Sequence, residues 1–130
     1  MKKQIVLMAL SVFTFACSVT AQGGFQRRTV EERVKTVHEK LDSAFKPAAT
    51  KMAALDSLFT GYYKDQDKAR DEMMASGTMD RDAMRAKMTE LSDARDVKLK
   101  VILTEGEMKI WKETIEPSMR PQRGNRPPGQ

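Results

Sequence analysis

Cysteine is almost absent: the 130-residue chain holds one, Cys17, so no internal disulfide framework is available. Histidine is equally scarce. His38 stands alone, next to Glu39 and one turn from Val34 and Leu41, on a stretch dense with charge. A Ser-His-Asp centre needs a base positioned beside an activated hydroxyl, and nothing around His38 supplies one. It reads as a surface or edge histidine, with pH sensing the one functional use open to that residue type. Zinc would need three or four converging ligands, and Glu31, His38 and Asp42 form no recognisable set. The acid pairs Asp80/Asp82 and Asp93/Asp96 read as solvated helix faces and helix starts, where carboxylates favour the helix dipole. No catalytic group, no metal site and no cofactor is expected.

Charge of one sign is also missing from the body. The full chain carries 23 Lys and Arg against 18 Asp and Glu. Between Thr29 and Glu116 the balance is reversed, at 16 basic to 18 acidic. The basic excess sits at the ends, in Lys2, Lys3, Arg27, Arg28, Arg120, Arg123 and Arg126. Nucleic-acid binding calls for a concentrated basic face with groove-reading or stacking residues, and no such face is legible.

Long apolar runs are absent outside the N-terminus. There, Lys2 and Lys3 precede the apolar stretch Ile5 to Ala16, and Val19-Thr20-Ala21 offers small residues for a peptidase. This is the layout of a secretory signal, too short for a transmembrane helix, which needs about 20 apolar residues. Cleavage after Ala21 is expected, giving a signal peptide over 1–21 and a chain without a stable membrane span. A lipoprotein acylated at Cys17 is the alternative, though Thr14-Phe15-Ala16 matches a lipobox poorly. Loss of Cys17 with the signal suits an oxidising envelope.

What remains is helical. There is no β-type alternation, and four helical stretches follow a short flexible arm over 22–28. The first opens with Thr29-Val30-Glu31-Glu32, a capping box in which threonine and glutamate satisfy two free backbone N–H groups reciprocally. Val30, Val34, Val37, Leu41 and Ala44 then form one narrow stripe, with Phe45 at its end. Pro47 stops this helix and is well placed to begin the next. The second helix carries Met52, Leu55, Phe59, Tyr62 and Tyr63 on one side and runs to Met73 or Met74, where Ser76-Gly77 ends it. The third starts near Thr78 to Asp80 and carries Met84, Met88, Leu91, Arg95, Leu99 and Ile102, with Arg95 interrupting the stripe. The fourth opens with a second box, Thr104-Glu105-Gly106-Glu107, carries Met108, Trp111 and Ile115, and stops at Pro117. Residues 117–130, rich in Pro, Gly and Arg, form a disordered tail.

The expected architecture is therefore all-α: a helical domain over 29–116, arranged as an elongated antiparallel hairpin of four helices. Narrow stripes on long helices favour a homodimer over a monomer, with an antiparallel bundle filled by methionine as the simpler alternative. Five methionines, Met73, Met74, Met79, Met84 and Met88, fall close together. Three roles are open to them: soft ligands for Cu(I), an adaptable binding surface, or core filler.

Leu103-Thr104-Glu105-Gly106-Glu107, followed by Trp111 and a basic Pro-rich end, resembles the Leu-Thr-x-x-Gln motif of the Spy/CpxP family of periplasmic stress proteins. Phe45-Lys46-Pro47-Ala48-Ala49, followed by Lys51 and Leu55, corresponds to that family's earlier motif, with Thr and Gln both missing. Glu107 stands where the second motif has Gln. Asp80 to Met88 is similar to the long helix of small family members. The resemblance implies a cradle-like antiparallel homodimer in the periplasm. It implies an ATP-independent holdase-type chaperone for unfolded or misfolded envelope proteins under stress. The alternative it carries is an envelope-stress regulatory or heavy-metal-sensing accessory protein. On the first reading Phe59, Tyr62, Tyr63, Met73, Met74, Met84 and Met88 bind the client. Leu103, Thr104, Glu107 and Trp111 form the structural motif.

Overall fold

The computed structural model describes residues 27–77 and 80–120. The expected signal peptide, its cleavage site, Cys17 and the last ten residues of the tail lie outside the described residues. The fold is all-helical, and among the described residues there is no strand.

Helix α1 (Val30–Phe45) begins as the capping box requires. The Thr29 hydroxyl accepts from the Glu32 N–H, and Glu32 Oε2 accepts from the Thr29 N–H at 2.9 Å. Lys46 ends it in the left-handed region at φ 44°, since the following proline disfavours right-handed helical geometry there. Pro47 does not open the next helix, as its sequence position suggested. It lies in a three-residue link, and α2 (Ala49–Ala75) starts behind an extended Ala48 that offers no side-chain cap. Gly77 takes φ 72° just past the end of α2, a conformation glycine adopts without strain. Helix α3 (Arg81–Ile102) is capped by Asp80, whose carboxylate accepts from the Asp82 and Ala83 N–H groups.

Leu103 is extended and buried, and the second capping box follows it directly. Thr104 Oγ1 accepts from the Glu107 N–H at 3.2 Å, and Glu107 Oε2 accepts from the Thr104 N–H at 2.9 Å. This box starts α4 (Glu105–Ile110). Replacing Thr104 with alanine should lower stability by about 0.5–2 kcal/mol, as loss of an N-cap does. Urea denaturation followed by circular dichroism measures it, and an unchanged midpoint would place the helix start elsewhere.

The fourth helix does not stop at Pro117. Helix α4 passes without a break into a π-helical turn, Trp111–Ile115, and then into α5 (Glu116–Met119). A proline inside an α-helix forfeits one hydrogen bond, and its ring meets the carbonyl four residues back. The wider turn accommodates it: the Glu116 N–H donates to the Trp111 carbonyl, five residues back. Trp111 and Ile115, four apart, both face inward.

Helix α2 packs against both α1 and α3. The core gathers at one end of these hairpins. Val37 and Leu41 come from α1, Met52, Leu55 and Phe59 from α2, and Leu99 from α3. Leu103, Trp111 and Ile115 close over them. No residue between Tyr63 and Leu99 belongs to this cluster. The rest of the α2–α3 hairpin is an arm that leaves the base. Helix α1 follows it only part of the way: Arg33 pairs with Asp67, and Arg27 reaches Asp71 at 3.6 Å.

Candidate functional site

Chemistry-bearing side chains converge at the base, where α3 meets the fourth helix. Arg95 lies in the middle of α3 and is only 5% exposed. Its guanidinium sits between two aromatic rings, 4.8 Å from the Tyr62 centroid and 5.2 Å from that of Trp111. It donates to Asp96 Oδ1 from Nε at 2.9 Å and from Nη2 at 2.7 Å, and to Glu116 Oε1 at 2.8 Å. Lys112 closes the circuit, pairing with Asp96 and with Glu116 Oε2 at 3.1 Å. Two cations and two carboxylates thus balance in a largely dry junction. Burial pushes the Glu116 carboxyl up, but the hydrogen bonds and charges of Arg95 and Lys112 outweigh it and hold that carboxyl below its ordinary range. The same pairing overcomes burial at Arg95 and Lys112 and raises both above their usual values. Glu116 so engaged favours its charged form.

A second pair pins the turn. Glu107 Oε2 accepts from Lys51 Nζ at 2.6 Å while completing the Thr104 box. Burial raises its pKa, and Lys51 with the Thr104 backbone more than reverse that, leaving it lowered. A glutamine here could complete the box but not the ion pair with α2. His38 pairs through Nδ1 with Asp56 at 2.9 Å, a bridge between α1 and α2 that leaves its side chain 44% exposed. Among the described residues no group of three or more His, Cys, Asp or Glu is arranged to hold a metal ion.

The residues expected to bind a client divide between the base and the arm. Phe59 is 1% exposed and packs on Trp111 with ring centroids 5.1 Å apart. It belongs to the core in this conformation. Tyr62 and Tyr63 are half-buried at the rim of the core. The Tyr62 hydroxyl is bonded to Ser92 Oγ at 3.0 Å and accepts from Gln66 Nε2 at 2.7 Å. Tyr63 lies under Arg33, 4.7 Å from its ring centroid. Burial and the neighbouring Tyr62 raise the Tyr63 pKa against the pull of Arg33 and Arg95. Met73, Met84 and Met88 are half-buried on the arm, and Met74 is exposed. Of the structural motif, Leu103 and Trp111 enter the core, while Thr104 and Glu107 cap α4.

Two features escaped the sequence reading. One is the junction itself: Asp96, expected on a solvated face, is buried at 8% exposure between Arg95 and Lys112, and only Arg95's interruption of a stripe gave a sign. The other is a pair of exposed valines one turn apart on α3, Val97 at 65% and Val101 at 85%. Val97 borders a groove between α3 and α4 lined also by Lys100, Met108 and Lys109. Among the described residues no helix is long and apolar enough to cross a membrane. No family model, no curated protein and no solved structure matches the chain.

Proposed function

We propose that the protein is an ATP-independent holdase of the periplasm, a homodimer that keeps unfolded envelope proteins from aggregating. One observation carries the reading. The α2–α3 arm stands outside the core and presents methionines among charged side chains of both signs. Such a surface suits weak contacts with chains of no fixed shape, because a thioether on three rotatable bonds adapts to its partner. Met74 on the arm and the exposed Val97 and Val101 nearer the base add apolar area on the same hairpin. Phe59 is excluded from this surface by burial, so the contact narrows to Met73, Met74, Met84 and Met88, with Tyr62 and Tyr63 at its inner edge.

Light scattering of two unrelated denatured proteins tests it. A several-fold excess of the protein should suppress scattering without nucleotide. Capture of acidic clients should slow as salt rises, because the basic groups at the edge of the surface are screened. Sedimentation of the same samples identifies the acting species. The variant Met74→Ser/Val97→Ser/Val101→Ser alters exposed positions only and should protect less while remaining helical. No protection by the folded wild type defeats the proposal and advances the regulatory alternative. Equal protection by the variant moves the surface off these three residues.

A further inference from the structure

From Lys64 to Glu90 the chain contains no leucine, isoleucine, valine or aromatic residue. Every apolar side chain there is an alanine or a methionine. Within the described part of this stretch Ala69 alone is buried, and the half-buried apolar side chains are Met73, Met84 and Met88. The base is built otherwise, from Val37, Leu41, Leu55, Phe59, Leu99, Trp111 and Ile115 with one buried thioether, Met52. The two ends of one hairpin therefore differ in chemistry as well as in burial.

We propose that the arm is a methionine-oxidation site, in which hydroperoxides convert Met73, Met84 and Met88 to sulfoxides and thereby part α2 from α3 beyond the base. In each event the O–O bond of the peroxide breaks and an S=O bond forms on the thioether. The sulfur gives up two electrons, and the peroxide leaves as water or an alcohol. A flexible apolar side chain becomes a polar one, which half-buried contacts between two helices do not retain. The aliphatic side chains and the Phe59 ring of the base do not undergo this chemistry, and its one thioether, Met52, is shielded by burial. Met108 and Met119 rest on that base, so their oxidation leaves its aliphatic and aromatic packing in place. The effect is reversible in principle, since methionine sulfoxide is reduced by dedicated reductases. It does not rest on the chaperone reading, since it concerns the arm's own structure, but the same three methionines belong to the proposed client surface.

Amide hydrogen exchange on the whole mature protein, before and after hydrogen peroxide, tests it, with peptide mass spectrometry locating each added oxygen. Amides of residues 66–75 and 82–90 should exchange roughly tenfold faster or more once the three sites are oxidised. Amides of α4 should change little, and treatment with methionine sulfoxide reductases of both epimer specificities should restore protection. The variant Met73→Leu/Met84→Leu/Met88→Leu should keep its arm protection through peroxide. Without any peroxide, Met88→Gln should show part of the faster exchange, because it places a polar group of similar length there. Three results overturn the proposal. The first is oxidation at the three sites with unchanged arm exchange. The second is equal opening of the leucine variant by peroxide. The third is an arm with no protection even when reduced.

Discussion

Replacing Trp111 with alanine is expected to lower stability by about 3–5 kcal/mol, the usual cost of emptying a buried indole site. Folded domains are stable by only about 5–15 kcal/mol in total, so this is a large fraction of the whole. The position justifies the upper half of that interval. Trp111 is fully buried, touches the Phe59 ring, stacks under Arg95 and forms the first residue of the π-helical turn. Three helices therefore lose a shared contact at once. Trp111→Phe is the informative companion. The indole N–H is buried with no hydrogen-bond partner among the described residues, so phenylalanine sacrifices no hydrogen bond and a smaller volume. Its cost should fall well below that of alanine. Urea midpoints by circular dichroism measure both, and a loss below about 1 kcal/mol for alanine would show that the site collapses or is not central.

Much of this base is legible in the sequence. Thr29 with Glu32 and Thr104 with Glu107 announce their helix starts because a capping box is local chemistry, complete within four residues. Gly77 marks an end for the same reason. Pro117 misled, because whether a helix survives a proline depends on tertiary contacts. Trp111 and Ile115 must be buried, and Glu116 must meet Arg95, before a widened turn is stable there. Pro47 suits a helix start by its fixed φ, yet the chain needs extended residues first to bring α2 antiparallel to α1.

The surface was less legible than the fold. Met52, Leu55, Phe59 and Tyr62 share one side of α2 at helical spacing, and spacing alone cannot say whether that side meets a client or the protein's own core. Phe59 proved to be core because Trp111, more than 50 positions along the chain, comes back to cover it. Val97 and Val101 lie off the Met84–Ile102 stripe, so helical spacing does not mark them. The arm's composition was visible as a cluster of methionines. What the fold adds is that the core ends before they begin.

Replacing Arg95 with methionine is expected to cost about 3–5 kcal/mol, comparable to Trp111→Ala but by a different route. Methionine fills much of the space between Tyr62 and Trp111. What it removes is the charge that satisfies Asp96 and Glu116, leaving two largely buried carboxylates to the single, half-exposed Lys112. Dependence on pH separates this mechanism from simple loss of packing. In the wild type the Glu116 carboxyl is held below its ordinary value. Its contribution is complete above the unfolded carboxyl pKa of about 4.3 and is lost as pH falls through the lower, folded value. Without Arg95 that depression shrinks, so the variant has less stability to lose in acid. The gap between wild type and variant should be widest near neutrality and should narrow at about pH 3. Removing the stranded acids as well, in Arg95→Met/Asp96→Ala/Glu116→Leu, should recover most of the loss, because a buried ion network is often replaceable by apolar groups of similar volume. Urea midpoints at the two pH values read both effects. A gap that stays constant with pH, or a triple variant no more stable than the single one, would mean that Arg95 acts through its stacked guanidinium and aliphatic stem rather than through its charge.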